Sequence, residues 1–386
     1  MRASEFLTEA AAPSTGRKYQ HIEDLVFTNG SSGGIHAVER LASMNADIGT
    51  VELKWDGMPV VYWGRDENGV FRMIPKNAWA YLKAGKTQTS SGAPTLMNSA
   101  EDISKFVMGT GSADPADKGR QQFAKQFASL WPYFEQISPK SGFLEGGLLF
   151  YPGTKPTGET AMPIVNKETG TYDFQPNITT FHVPIDSELG KRIAKAKVMV
   201  AATGFYDTLG GSDESRYPNA EALSTPTVIV QGTTYVQEPP KMDTAGLSKI
   251  KKFIEKNAQL IDGFLAPKPG LSSPASILYK FYNTILRNPA AGKQFVQWAQ
   301  SNLSAGQMEK ILSDKKGLSA VLTAVDMITH EKLRLLDMLS QGTHGGIKQT
   351  KPEGYVQAHP GTAFSHDLPG QFIKAIDQAN WSPKKV

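Results

Sequence analysis

The amino-acid sequence is that of an α+β protein built on antiparallel strands, with a helical module inserted between them. Three observations lead there. Between Thr50 and Val236, short segments of alternating or continuous apolar character recur between turn signals. From Leu247 to about Leu339, apolar residues recur at helical spacing almost throughout. Strand character then returns at Gly354–Gln357 and Gln371–Asp377. The expected organisation is an arm over residues 1–20, a discontinuous domain over 21–240 and 343–386, and a helical insertion over 244–342.

In chain order, residues 1–20 read as a small helix and a loose Ala/Pro/Ser/Thr linker, followed by an apolar-rich segment from His21 to Phe27. The run Asn29-Gly30-Ser31-Ser32-Gly33-Gly34 reads as a turn and N-cap opening a helix around Ile35–Met44. A Gly/Ser run also suits a phosphate, but this one lacks the Lys-Ser/Thr ending of a P-loop. Thr50–Tyr62 reads as strand, turn, strand. Asp66-Glu67-Asn68-Gly69 is a hairpin turn, and Val70–Ile74 returns from it. Ala84–Ser99 is polar and reads as a mobile loop. Gly119–Gln136 has Phe123, Phe127, Leu130 and Phe134 on one helical face. Strands are expected at Phe143–Tyr151, Thr171–Pro184, Lys197–Thr203 and Val228–Val236, with a short helix at Ser187–Lys195. Past Pro239-Pro240, apolar faces come from Phe253, Ile261 and Phe264, then Leu278–Leu286, Phe295–Trp298 and Val321–Leu339.

The bulk numbers narrow the function classes. With 386 residues and 40% apolar content, the chain suits about two to three packing units of a globular protein. It has no apolar run of about 18 residues, so no membrane partner is expected. The stretch Met1–Leu7 lacks the apolar core of a secretory signal. Cysteine is absent, which excludes disulfides and thiolate metal sites and makes a reducing cytoplasm the natural compartment. The net charge of +4 permits contact with phosphate without demanding it.

The stretch Val51-Glu52-Leu53-Lys54-Trp55-Asp56-Gly57 carries the chemistry. Alternation puts Glu52, Lys54 and Asp56 on one face of a strand. Charges facing inward cost free energy unless they are paired or used, and Gly57 permits a tight turn out of the strand. Lysine at such a place suits covalent catalysis, since burial and neighbouring cations free an amine to act as a nucleophile. A surface hairpin with a solvated Lys54 and Asp56 is the other reading of these residues alone.

Glu52-x-Lys54-x-Asp56-Gly57 resembles motif I of the ATP-dependent DNA and RNA ligases and mRNA-capping enzymes. The resemblance implies a nucleotidyltransferase (ATP-grasp-like ligase adenylylation) fold, with ATP and Mg2+ as cofactors. It also implies roles for single residues. Lys54 would be the nucleophile that forms lysyl-AMP, Glu52 would read the adenine amino group, and Asp56 would orient the site. Lys76, in Pro75-Lys76-Asn77, stands where the superfamily carries a basic residue. Phe143-Leu144-Glu145-Gly146-Gly147-Leu148 is similar to the third motif, with Gly147 where ligases have an acid that holds ribose or metal, and with Glu145 at the preceding acidic position. Thr180-Phe181-His182-Val183 resembles the strand that offers an aromatic ring to the purine. Phe181 either stacks on adenine or packs in the core, and His182 is open to the same two readings. Glu353-Gly354-Tyr355-Val356 resembles motif IV, whose glutamate binds metal. Phe372-Ile373-Lys374-Ala375-Ile376 resembles motif V, whose lysines contact the α-phosphate, and Lys374 is its single lysine here. The sequence ends soon after, so the oligonucleotide-binding domain that follows motif V in DNA ligases is not expected, and the resemblance implies either the compact RNA-ligase-like branch or a protein missing part of the reaction.

A second likeness covers most of the chain outside the helical module. Ser4–Ala10, His21–Phe27, Lys54-Trp55-Asp56-Gly57, Phe174-Gln175-Pro176-Asn177 and Asp186-Ser187-Glu188-Leu189-Gly190-Lys191-Arg192-Ile193 resemble a family of large tailed-phage proteins. That implies a bacteriophage origin, and a place in the cytoplasm of an infected bacterium or in the virion. Two functions are therefore expected. One is a polynucleotide ligase-like enzyme acting on nucleic-acid ends, or a protein-directed transferase using the same pocket. The other is a catalytically inactive nucleotide-binding or virion-associated protein that keeps the fold. Under either, the helical module would recruit a phage or host protein. Its Lys249–Lys252 and Lys315-Lys316 groups read as solvated helix faces.

Overall fold

The computed structural model describes residues 19–47, 50–55, 57–109, 117–155, 160–211, 214–215, 217–237, 241–271, 273–282, 294–342, 344, 346–350, 354–358 and 372–376. The expected arm over 1–20 lies outside them except for Tyr19 and Gln20, which belong to a strand rather than to an arm, and Asp56 and Glu353 lie outside them too. The protein is α+β, with antiparallel pairing dominant in its sheets.

Strand β1 (Tyr19–His21) leads to helix α1 (Asp24–Ala46). Strands β2 (Val51–Leu53), β3 (Val60–Arg65) and β4 (Phe71–Pro75) follow, then α2 (Lys76–Lys83), α3 (Ala100–Gly109), α4 (Lys118–Ala128) and α5 (Trp131–Gln136). Next come β5 (Gly142–Phe150), β6 (Ile164–Asn166), β7 (Thr171–Phe174), β8 (Thr180–Pro184), α6 (Glu188–Ile193), β9 (Val198–Tyr206), β10 (Glu214–Ser215) and β11 (Val228–Gln231). The helices α7 (Ala245–Lys256), α8 (Ala258–Leu265), α9 (Pro274–Phe281), α10 (Phe295–Asn302), α11 (Ala305–Leu312) and α12 (Lys315–Ser340) precede β12 (Lys348–Thr350), β13 (Gly354–Ala358) and β14 (Phe372–Ile376).

The chain divides into two units. The first takes Trp55–Thr234 and Gly346–Lys351. Its six-stranded sheet runs β10-β9-β5-β3-β4, with β11 parallel to β9, and its second sheet runs β12-β8-β7-β6. The larger sheet is buried against the helices, as Trp63, Met73, Ile74, Phe106, Phe127, Leu130, Phe134, Phe143 and Leu148 meet in one core. The expected faces of α4 and α5 hold, with Phe127, Leu130 and Phe134 buried and Phe123 at the margin. The single strand expected over Thr171–Pro184 is instead the pair β7 and β8. Pro176 and Asn177 supply the turn chemistry between them. Within Ala84–Ser99, short-range hydrogen bonds set the path: Thr95 Oγ1 donates to the Lys86 carbonyl at 2.8 Å, and Thr95 and Met97 are fully buried.

The second unit holds the described residues of 8–54, 235–345 and 352–386. Here the outcome differs from the expected division. The helices after residue 244 form no separate insert but pack on α1, which meets α7, α8, α9 and α12, and α12 also meets β14. The apolar faces read from the periodicity account for this, since Ile254, Ile261, Phe264, Phe281, Val321, Ile328 and Leu335 are all buried. The Gly/Ser run does break the backbone ahead of a helical stretch, but the residues before it are helical as well. Helix α1 continues through it with a kink at Gly30, φ +61°. Ser31, just past the kink, donates both its N–H and its hydroxyl to the Asp262 carboxylate of α8, each at 2.7 Å. A carboxylate from the neighbouring helix caps this break.

Among the described residues, no helix is long and apolar enough to cross a membrane.

Candidate functional site

The predicted residues fall in two groups, one in each unit. In the second unit, β2 carries the start of the Lys54 motif. The expectation of a half-buried strand with one charged face is revised here, because Val51, Glu52 and Leu53 are 0, 8 and 4% exposed, so β2 is covered on both sides. Cover on one edge comes from the chain near Tyr235, where the Val236 N–H donates to the Val51 carbonyl at 2.8 Å. The other edge pairs with β13.

That sheet runs β1-β14-β13-β2 and brings both ends of the sequence together. Glu52 stands opposite Val356, Val356 opposite Lys374, and Lys374 opposite His21, so four strands contribute to one register row. Lys54 follows β2 directly and is half-buried. Its N–H donates to the carbonyl of Gly354 at 3.1 Å. The segments resembling motifs I, IV and V are therefore adjacent strands. Beside them, Tyr355 is fully buried, and its hydroxyl lies 3.1 Å from Nε2 of His344, itself 1% exposed.

In the first unit, Glu145 sits on β5 between Tyr62 of β3 and Gly204 of β9. Its carboxylate accepts a hydrogen bond from the Tyr206 hydroxyl at 2.8 Å. Tyr206 in turn packs beside Tyr62 and Trp79, which stack on each other at 4.3 Å. Nothing in the sequence marks Tyr62, Trp79 and Tyr206, whose aromatic character reads only as core. Gly147, two residues on, meets Gly57: a Cβ built on either lies 2.5 Å from the backbone of the other. The Met58 N–H donates to the Leu148 carbonyl at 2.7 Å, which fixes the crossing. An acidic side chain at position 147 has no room.

Lys76 is the first residue of α2, directly after β4, and is exposed. Phe181 is fully buried, with Trp55 at 4.8 Å on one side and Phe174 at 5.4 Å on the other. Those rings account for its place as a core residue. His182, its neighbour, is hydrogen-bonded across the sheet: Nδ1 lies 2.9 Å from Asp173 Oδ1 and Nε2 lies 2.8 Å from Thr350 Oγ1. Burial pushes the Asp173 carboxyl up, but hydrogen bonds from Thr171, Asn166 and His182 outweigh it and hold the group below the ordinary Asp value.

Among the described residues, no cluster of three or more His, Asp or Glu side chains is poised around a cation. Mg2+ does not require one, because it keeps several waters and takes one or two carboxylates plus substrate phosphates. Comparison with family models, with curated proteins and with solved structures finds no match to this chain.

Proposed function

We propose that this chain is an ATP-dependent ligase-like nucleotidyltransferase in which the Lys54 amine takes up AMP. The observation that carries the reading is the register row Glu52–Val356–Lys374, with the Lys54 N–H bonded to Gly354. Segments from opposite ends of the chain, each resembling a nucleotide-handling motif, share one sheet. Antiparallel sheets with flanking helices suit the nucleotidyltransferase fold that the reading requires.

In the first step the neutral Lys54 amine attacks the α-phosphorus of ATP. A P–N bond forms, the bridging P–O bond to the β-phosphate breaks, and pyrophosphate leaves while the amine loses its proton to water. An oxygen of a 5′-phosphorylated nucleic-acid end then attacks the same phosphorus, and the P–N bond breaks to return lysine. A 3′-hydroxyl finally attacks the activated 5′-phosphate and AMP departs. Glu52 is assigned to the adenine amino group, Asp56 to orienting the motif, Gly57 to the turn, and Lys76 and Lys374 to phosphate charge. Motif likeness assigns Glu353 and Glu145 each to Mg2+; within its own unit the half-buried Glu145, oriented by Tyr206, would offer the hard oxygen that this ion takes. Mg2+ supplies neutralisation of phosphate charge.

The close passage of Gly57 and Gly147 favours a second reading, because it removes the acid that ligases carry at that place. Under it the protein is a nucleotide-binding or virion-associated protein that transfers nothing. Incubation with α-labelled ATP and Mg2+, followed by denaturation, separates the two. A labelled band that Lys54→Ala abolishes is the expected result. No label with any nucleotide overturns the transferase reading, and label without strand joining points to a partial or a protein-directed transferase.

A further inference from the structure

We infer that the first unit carries a phosphodiester-binding groove along α6, which tracks the backbone of a single-stranded nucleic acid. A groove of about 620 Å3 lies between α6 with the residues following it and the segment leading into β11; it is lined by Glu188, Lys191, Arg192, Lys195, Ser224, Thr225, Pro226 and Ile229. The stretch Lys191-Arg192-Ile193-Ala194-Lys195-Ala196-Lys197 holds four cations and no acid. All four are exposed, while Ile193 and Ala196 between them are buried, so the apolar residues anchor the segment and the cations face water. Lys191 and Arg192 stand in the last turn of α6, where cations complement its dipole; Lys195 and Lys197 lie past its end, where the dipole does not account for them.

The wall is fixed in place. Ser187 caps α6 by accepting from the Gly190 N–H at 3.0 Å, and Gly190 packs so close to the chain below that a Cβ there would lie 2.0 Å from the Pro184 carbonyl. Across the groove, Arg192 Nη2 donates to Ser224 Oγ at 2.9 Å, and Ser224 Oγ accepts from the Val230 N–H at 3.0 Å. This holds the guanidinium over the opening with its other donors unspent on Ser224. Lys191 is paired with Glu188 at 2.6 Å, but both side chains are more than half exposed, so a phosphate readily replaces the carboxylate. Pro226 and Ile229 give an apolar floor beside the cationic wall. A ligand with regularly spaced anions and apolar faces between them matches that surface, and a nucleic-acid strand has both. The choice of nucleic acid rests on the reading above, but the groove does not depend on Lys54.

The test uses the full chain and fluorescence anisotropy with labelled oligothymidylate and oligouridylate, across a range of salt. Arg192→Glu/Lys195→Glu is compared with Lys249→Glu/Lys252→Glu, which makes the same charge change on exposed positions of α7. The first pair is expected to weaken binding at least about tenfold and to flatten the salt dependence, by about 0.7 in log–log slope for each lost contact. The second pair is expected to stay within about twofold of the parent. Arg192→Gln gives a milder loss in a chain whose charge is not reversed. The measurement uses no nucleotide, so failure of AMP transfer leaves this result standing. Equal losses in both double variants, no loss in the first, or displacement of the oligonucleotide by polyglutamate at matched charge overturns the groove.

Discussion

Gly57 and Gly147 pass backbone to backbone, with space for a Cβ on neither: the nearest atom would lie 2.5 Å away in each direction. This contact joins the end of the Lys54 motif to β5. Gly147→Ala is expected to destabilise the protein by about 1–3 kcal/mol, the range for forcing atoms into a filled site. Gly147→Glu, which writes in the ligase acid, is expected to cost more and to add no AMP transfer. Gly263→Ala is the control, because a Cβ at that position in α8 meets nothing within 4 Å. It is expected to be neutral or to stabilise by up to about 1 kcal/mol. Thermal unfolding checks all three, and Gly147→Ala melting at the parent temperature refutes the contact.

The Gly30–Asp262 pair makes a second packing prediction. A Cβ on Gly30 would lie 2.3 Å from Asp262 Oδ1, and the backbone there has φ +61°. Gly30→Ala is expected to destabilise through both strain and collision. Asp262→Ala removes two charge-assisted bonds to Ser31 and is expected to cost about 1.5–3 kcal/mol. The double variant is expected to cost less than the sum, since removing the carboxylate removes the collision and leaves only the strain. Denaturant titration of the four proteins measures the cycle. Strict additivity refutes the coupling.

Much of this architecture is legible from local signals. The Asp66–Gly69 turn, the β3–β4 pair it joins and the buried β5 follow from turn chemistry and apolar runs. The helices after residue 244 follow from their spacing. What periodicity does not carry is partnership. Nothing around Gly30 announces that a carboxylate from α8 will cap a broken helix, so a Gly/Ser run reads as a turn. The domain boundary fails for the same reason. Amphipathic faces show that α7 to α12 need covering, but not that α1 provides the cover. At the candidate site, Lys54, Glu52 and Lys374 stand out by motif likeness alone, and the pairing of their segments in one sheet is long-range. Tyr206 beside Glu145 left no signal beyond its aromatic character.

A charged pair inside the second unit is a case of partnership hidden from sequence. Lys332 of α12 and Glu23 lie 2.6 Å apart, with side chains 2 and 5% exposed. His21–Phe27 reads as an apolar segment, yet Glu23 is fixed within it. Removing one partner leaves an uncompensated buried charge, so Lys332→Ala is expected to destabilise by about 3–5 kcal/mol. Replacing both with apolar residues of similar size, Glu23→Leu/Lys332→Met, is expected to recover most of that loss. Urea unfolding is the measurement. A double variant no more stable than Lys332→Ala alone shows that packing, not charge, holds this site.

The pH dependence of stability is expected to have a component from His344. Burial holds its imidazole below the ordinary value of 6.5, against a smaller opposing effect of the Leu339 carbonyl. The unfolded chain therefore takes up this proton at a higher pH than the folded protein does. Between those two values the unfolded state binds more protons, so stability falls as pH falls from about 6.5 towards the depressed folded value. The contribution is intact above that window and lost below it, with a slope of up to about 1.4 kcal/mol per pH unit inside it. His344→Gln keeps a polar group near the Tyr355 hydroxyl and removes the titration. It is expected to be less stable at pH 7.5 but to lose less between pH 7 and pH 5.5 than the parent. Urea midpoints across that range decide it. If parent and variant lose stability in parallel, acid sensitivity comes from other groups and not from this buried ring.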